Sequence, residues 1–119
     1  VKARRLGKPI VLKVSAPFHC RMLSHAAERL AHVLAQVSFA PLTIPVLSNV
    51  TATPHPSPQT VRDLLVQQVC APVRWEEAMR YAVAQGCDAI LEVGPGKTLS
   101  GMMKRIAPQV EVLGLEAFL

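Results

Sequence analysis

Two stretches of this 119-residue chain could do chemistry, and they pull in different directions. The first is GPGKT, residues 94–98, directly after the apolar run AILEV. A phosphate-binding loop has the form G-x-x-x-x-G-K-[ST], because its first glycine lets successive N–H groups wrap the phosphate. Gly96, Lys97 and Thr98 match its end, but the first glycine position holds Leu91, and Glu92 sets a negative charge where phosphates would lie. A tight strand-to-helix turn, with Pro95 stiffening two glycines, accounts for the stretch better than nucleotide binding does. The second stretch is APFHC, residues 16–20. A histidine just beyond a strand end and just before a helix can face a cleft and act as a general base near neutral pH. A structural loop histidine is the plainer alternative for His19. His25 and His32 lie on one helical segment and read as solvated, and His55 sits in a proline-rich loop.

The elements that must position these residues alternate along the chain. IVLKVS (10–15) reads as a strand. Residues 21–37 place Met22, Leu23, Ala26, Leu30, Val33, Leu34 and Val37 at helical spacing. TIPVLSNV (43–50) reads as a second strand ending in Ser48 and Asn49. TATPHPSPQ (51–59) is a surface loop, with Thr60 capping a helix from Val61. WEEAMRYAVAQG gives a helix ending at Gly86, AILEV (89–93) a strand, TLSGMMKRIA a helix, and VEVLGL (110–115) a last strand. Strand–helix alternation predicts an α/β layered architecture with a mostly parallel sheet. Sites in such folds lie at the carboxyl ends of strands, which selects residues 15–20, 48–50 and 94–98.

Composition narrows the classes. Half the residues are hydrophobic, enough for one domain with a core. No apolar run approaches a membrane span, and the opening VKARRLGKPIVLKV reads as basic and then strand-like, which is not the pattern expected of a secretory signal. Cys20, Cys70 and Cys87 are an odd set without CxxC spacing, which argues against a disulfide framework and a zinc site and for a reducing, cytoplasmic compartment. The net charge of +5, much of it early, suits either a solvated surface or an acidic partner. With one Trp, one Tyr and three Phe, stacking platforms for nucleic acid are few.

Four segments together resemble a known family. SAPFHCRML (15–23), PVLSNVTA (45–52), VQQVCAPVRWEEAM (66–79) and EVGPGKTLSGMMKRI (92–106) are similar, in order and spacing, to malonyl-CoA:acyl carrier protein transacylases. The same motifs mark acyltransferase domains of polyketide and fatty-acid synthases. The resemblance implies a ping-pong reaction in which a GxSxG serine attacks the malonyl thioester and a histidine relays its proton. It places that histidine at His19 and puts on Gln68 the backbone carbonyl that accepts its other N–H. It makes Phe18, beside the histidine, a wall of the acyl pocket whose bulk disfavours a branching methyl, an effect of ~1–3 kcal/mol. It implies malonyl-CoA as substrate, acyl carrier protein with its phosphopantetheine as partner, no permanently bound cofactor or metal, and a monomeric complete enzyme.

The chain lacks GxSxG and any residue assignable to the family's carboxylate-binding arginine. Both belong upstream in the family, so the expectation is a C-terminal portion: residues 1–15 as the end of a small ferredoxin-like subdomain, 16–119 as the C-terminal part of a large α/β-hydrolase-like subdomain. Alone, it is expected to be inactive. A synthase acyltransferase domain and a non-catalytic α/β binding module are the alternatives.

Overall fold

A computed structural model of the protein describes residue 11 and residues 14–115. The strand expected at 10–15 falls mostly outside the described residues. The described elements are a 3-10 turn at Arg21–Leu23, α1 (Ser24–Leu34), α2 (Pro58–Gln67), α3 (Trp75–Ala84), β1 (Ala89–Glu92), α4 (Thr98–Ile106) and β2 (Glu111–Gly114). β1 and β2 pair in parallel, with Ile90 opposite Val112 and Leu91 opposite Leu113. Parallel neighbours need a crossover, and α4 supplies it. The expected α/β character and parallel pairing are therefore both present.

The core lies under that crossover. Met103, Ala107 and Val110 are buried together, and Met79, Val83, Ile90, Ile106 and Val112 pack against them. Four elements converge there because α3 and α4 each turn an apolar stripe toward one face of the two-stranded sheet. Helix α3 ends as a Schellman motif: Cys87 N–H donates to Ala82 O at 3.1 Å, Gly86 N–H to Val83 O at 3.0 Å, and Gly86 has φ +93°. The sequence located that end correctly.

Helices α1 and α2 form a second layer. The apolar stripe of the 21–37 segment divides. Leu23, Leu30 and Leu34 are half-buried, while Met22 and Val33 are exposed. The first turn is 3-10, and the α-helix stops at Leu34, short of the expected Val37. Arg62 of α2 reaches across to donate to Val37 O at 2.8 Å, which ties the two helices at that end.

Two expectations need correction. TIPVLSNV is not a strand. It makes one antiparallel bridge, Leu47 to Pro54, and His55 N–H donates to Val46 O at 3.0 Å. Prolines 45 and 54 remove ladder donors, so the segment closes on itself as a short loop instead of joining the sheet. Helix α2 also begins earlier than Val61. Ser57 is its N-cap, its hydroxyl accepting from Thr60 N–H, while Thr60 Oγ1 accepts from Ser57 N–H in a capping box. Pro58 opens the helix because the first position has no use for an N–H. Counting it with the loop obscured this.

Candidate functional site

Helix α2 ends with Gln68 as its C-cap, φ −61° and ψ −22°. The last carbonyls of a helix have no intrahelical partner and carry its partial negative charge. One of them is used here: His19 Nδ1–H donates to Gln68 O at 2.9 Å. A carbonyl only accepts, so the contact fixes the proton on Nδ1 and leaves Nε2 as the free, basic nitrogen. Nε2 has no partner among the described residues. His19 itself has φ +57°, a left-handed conformation that histidine tolerates better than most residues. The turn before it is closed by Phe18 N–H to Ala16 O at 2.9 Å and Cys20 Sγ–H to Pro17 O at 3.1 Å. The chain thus bends sharply at His19 and directs its ring toward the end of α2. The structure brings together the His19 and Gln68 pair expected from the sequence. Phe18, 58% exposed, stands beside them on open surface.

A third residue joins them. Asn49 Nδ2–H donates to the Gln68 side-chain Oε1 at 3.0 Å. Its neighbour Ser48 is 3% exposed and builds the turn: Ser48 Oγ accepts from Val50 N–H at 3.1 Å, and Ser48 O accepts from Ala52 N–H at 2.9 Å. Both residues end the PVLSN segment, and they divide the work between turn and site. The sequence selected both only by their place at the end of an expected strand. Nothing in the residue types says that Asn49 faces Gln68, because the contact spans two loops.

Arg74 was not singled out by sequence. Its N–H donates to Asn49 O at 3.0 Å, and its Nη1 donates to Val50 O at 3.3 Å and Thr51 O at 3.1 Å. Its other edge pairs bidentately with Glu77, whose carboxyl is held below the usual range by that arginine's hydrogen bonds. Arg74 therefore clamps the 49–51 loop to the start of α3. The only sequence signal is the i, i+3 spacing of Arg74 and Glu77.

The GPGKT stretch has a structural role. Gly94 and Gly96 have φ +131° and +97°, values closed to residues with a Cβ, and they turn the chain from β1 into α4. The anion site at the start of α4 is already filled from within. Glu92 accepts Leu99 N–H at 3.1 Å and Ser100 N–H at 3.0 Å, and the Ser100 hydroxyl also donates to it. These bonds, the Ser100 hydroxyl foremost, hold the Glu92 carboxyl below its ordinary value of 4.5. A phosphate there would meet a carboxylate on the same N–H groups.

This yields a testable stability effect. A glutamate with a lowered native pKa stabilises the fold above its ordinary value and loses that contribution as pH falls through the native value. Glu92→Gln should therefore lower stability at pH 7 relative to wild type. The two denaturation curves should converge as pH drops below about 4.5. Equal stability at pH 7 would show that the cap is idle.

Among the described residues no group of three or more His, Cys, Asp or Glu is placed to hold a metal, and no helix is long and apolar enough to cross a membrane. Cys20, Cys70 and Cys87 are free thiols. A concavity of about 490 Å³, lined by Pro45, Leu47, Pro54, Tyr81, Gln85 and Cys87, shares no residue with the His19 site.

An α/β framework that grips an imidazole by one nitrogen and leaves the other free is the arrangement of a general base. No family model matches the chain. Malonyl CoA-acyl carrier protein transacylase of Escherichia coli strain K12 is 41% identical over 105 residues, covering 88% of this chain and 34% of that protein. The crystal structure of MCAT from Streptococcus pneumoniae superposes with a TM-score of 0.90 at 36% identity, covering 96% of this chain and 37% of that one. A type II PKS acyl-carrier protein in complex with its malonyl-transacylase gives 0.88 at 36%, covering 96% and 37%. The chain is a homologue of the malonyl-CoA:acyl carrier protein transacylases. It spans about a third of the length of the curated relatives it matches.

Proposed function

We propose that this chain carries the general-base part of a malonyl-CoA:acyl carrier protein transacylase. The observation that carries the reading is the 2.9 Å bond from His19 Nδ1 to Gln68 O, on a chain homologous to such enzymes. His19 Nε2 takes the proton from a serine hydroxyl supplied from outside these 119 residues, since they contain no GxSxG. The serine oxygen bonds to the malonyl carbonyl carbon and the carbon–sulfur bond to coenzyme A breaks. The coenzyme A sulfur leaves with the proton from Nε2. In the second half, Nε2 takes the proton of the carrier protein's pantetheine thiol. That sulfur bonds to the acyl carbon, the ester carbon–oxygen bond breaks, and the serine regains its proton. The Gln68 carbonyl accepts the Nδ1 proton throughout, doing the orienting work that a carboxylate does in other triads.

Phe18 forms one wall of the acyl pocket. Acyl carrier protein is the partner, in keeping with the names of the relatives. The described residues from 16 onward are assigned to the C-terminal part of a large α/β-hydrolase-like subdomain, while the small-subdomain end expected at 1–15 lies mostly outside the described residues. No permanently bound cofactor takes part.

The test compares the 119 residues alone with the whole gene product that carries them, both given malonyl-CoA and a phosphopantetheinylated carrier protein. The whole product should transfer malonate and the 119 residues should not. Transfer by the 119 residues alone would refute the need for an outside nucleophile.

A further inference from the structure

Resting on the reading of His19 as the base, we infer that Asn49 is a positioning residue for it, acting through the Gln68 side chain. The Gln68 carbonyl that holds His19 belongs to the residue that ends α2, and helix ends fray. Its direction depends on the Gln68 backbone staying in place. Gln68 also has a second attachment, its side-chain Oε1 accepting from Asn49 Nδ2 at 3.0 Å. Main chain and side chain of one residue are thus pinned to different parts of the molecule, and the Asn49 contact resists a swing of the carbonyl.

Asn49 is itself fixed from behind. Its carbonyl accepts from Arg74 N–H, and the next two carbonyls accept from the Arg74 guanidinium, whose far edge Glu77 holds. The buried Ser48 closes the turn from the other side. The contacts therefore form one path: α3, Arg74, the 49–51 loop, Asn49, Gln68, His19. Asn49 and Gln68 are half-buried, where a hydrogen bond holds orientation better than it does in open water. Among the described residues Asn49 has no hydrogen bond to the imidazole, so it acts on the reaction through where the ring points.

A misplaced base loses rate and not affinity, and displacement by about 1 Å can cost on the order of 100-fold. In the whole gene product, Asn49→Ala should lower the rate of acylation by malonyl-CoA about 10- to 100-fold with KM little changed. Gln68→Ala keeps the backbone carbonyl and removes only the side-chain contact. It should give the same loss, and the double variant should be no worse than either single one. Asn49→Asp should restore much of the rate, because a flipped Gln68 amide can donate to the new carboxylate. Nitrogen-15 shifts of the His19 ring provide a readout independent of turnover: the Nδ1–H signature should weaken in Asn49→Ala and Gln68→Ala and return in Asn49→Asp.

His19→Ala is the control that separates the two claims. If it keeps normal acylation, the base assignment fails, and the ring shifts alone still decide whether Asn49 positions the imidazole. If it is dead while Asn49→Ala and Gln68→Ala keep wild-type rate and ring signature, the base assignment stands and the positioning role is overturned. Should Asn49→Ala not fold, Gln68→Ala and Asn49→Asp decide the question in the same way.

Discussion

Replacing His19 with alanine in the whole gene product should reduce malonyl transfer by about 10²–10⁴-fold, the usual worth of a positioned acid–base group. The fold should survive, because among the described residues His19 is exposed and its side chain bonds only to Gln68 O. That surface position is the reason the substitution discriminates. A histidine retained for packing would be enclosed and its removal would be felt in stability. Here the ring projects from a left-handed turn and gives up one nitrogen to a helix end, so its loss should register in turnover and hardly at all in melting. Steady-state transfer together with a denaturation curve checks both halves. Near-normal turnover would remove His19 from the mechanism, and a collapsed fold would make it a structural residue.

The second large effect concerns the core. Met103 is 1% exposed and belongs to a cluster against which side chains from α3, β1, α4 and β2 pack. Met103→Ala should cost about 2–5 kcal/mol, the range for truncating a buried methionine whose surroundings relax only partly. Met103→Leu keeps the volume and should cost under about 1.5 kcal/mol. Urea unfolding of the two variants beside wild type measures both. A loss below about 1 kcal/mol for Met103→Ala would mean that the cluster collapses freely around the gap. The damage should centre on the β1–α4–β2 unit, since His19, Asn49 and Gln68 lie outside it, in two loops and at the end of α2.

What the sequence could and could not reveal follows from how local each feature is. Helices α3 and α4 and strands β1 and β2 were readable because apolar spacing, Gly86 and the GPG turn are local signals. The pairing of His19 with Gln68 was reached through resemblance, since a main-chain acceptor leaves no trace in residue type. The false strand at 43–50 came from reading β-branched residues without asking what they could pair with, and prolines 45 and 54 withhold those partners. The early start of α2 was missed because a proline at the first helical position looks like loop. Asn49 and Arg74 act across long sequence separations, and no local pattern announces such contacts. The phosphate-loop likeness of GPGKT was rejected on a missing glycine and on Glu92. The structure adds the reason: that carboxylate occupies the helix N-terminus itself.

His19, held by Gln68, is proposed to serve an acyl-enzyme. That role is tested most directly by the intact mass of the whole gene product after brief exposure to malonyl-CoA, with His19→Ala beside it. The wild-type protein should gain one malonyl group, and the variant should gain it far more slowly. A protein that gains nothing, or a variant labelled as fast as wild type, would contradict that role.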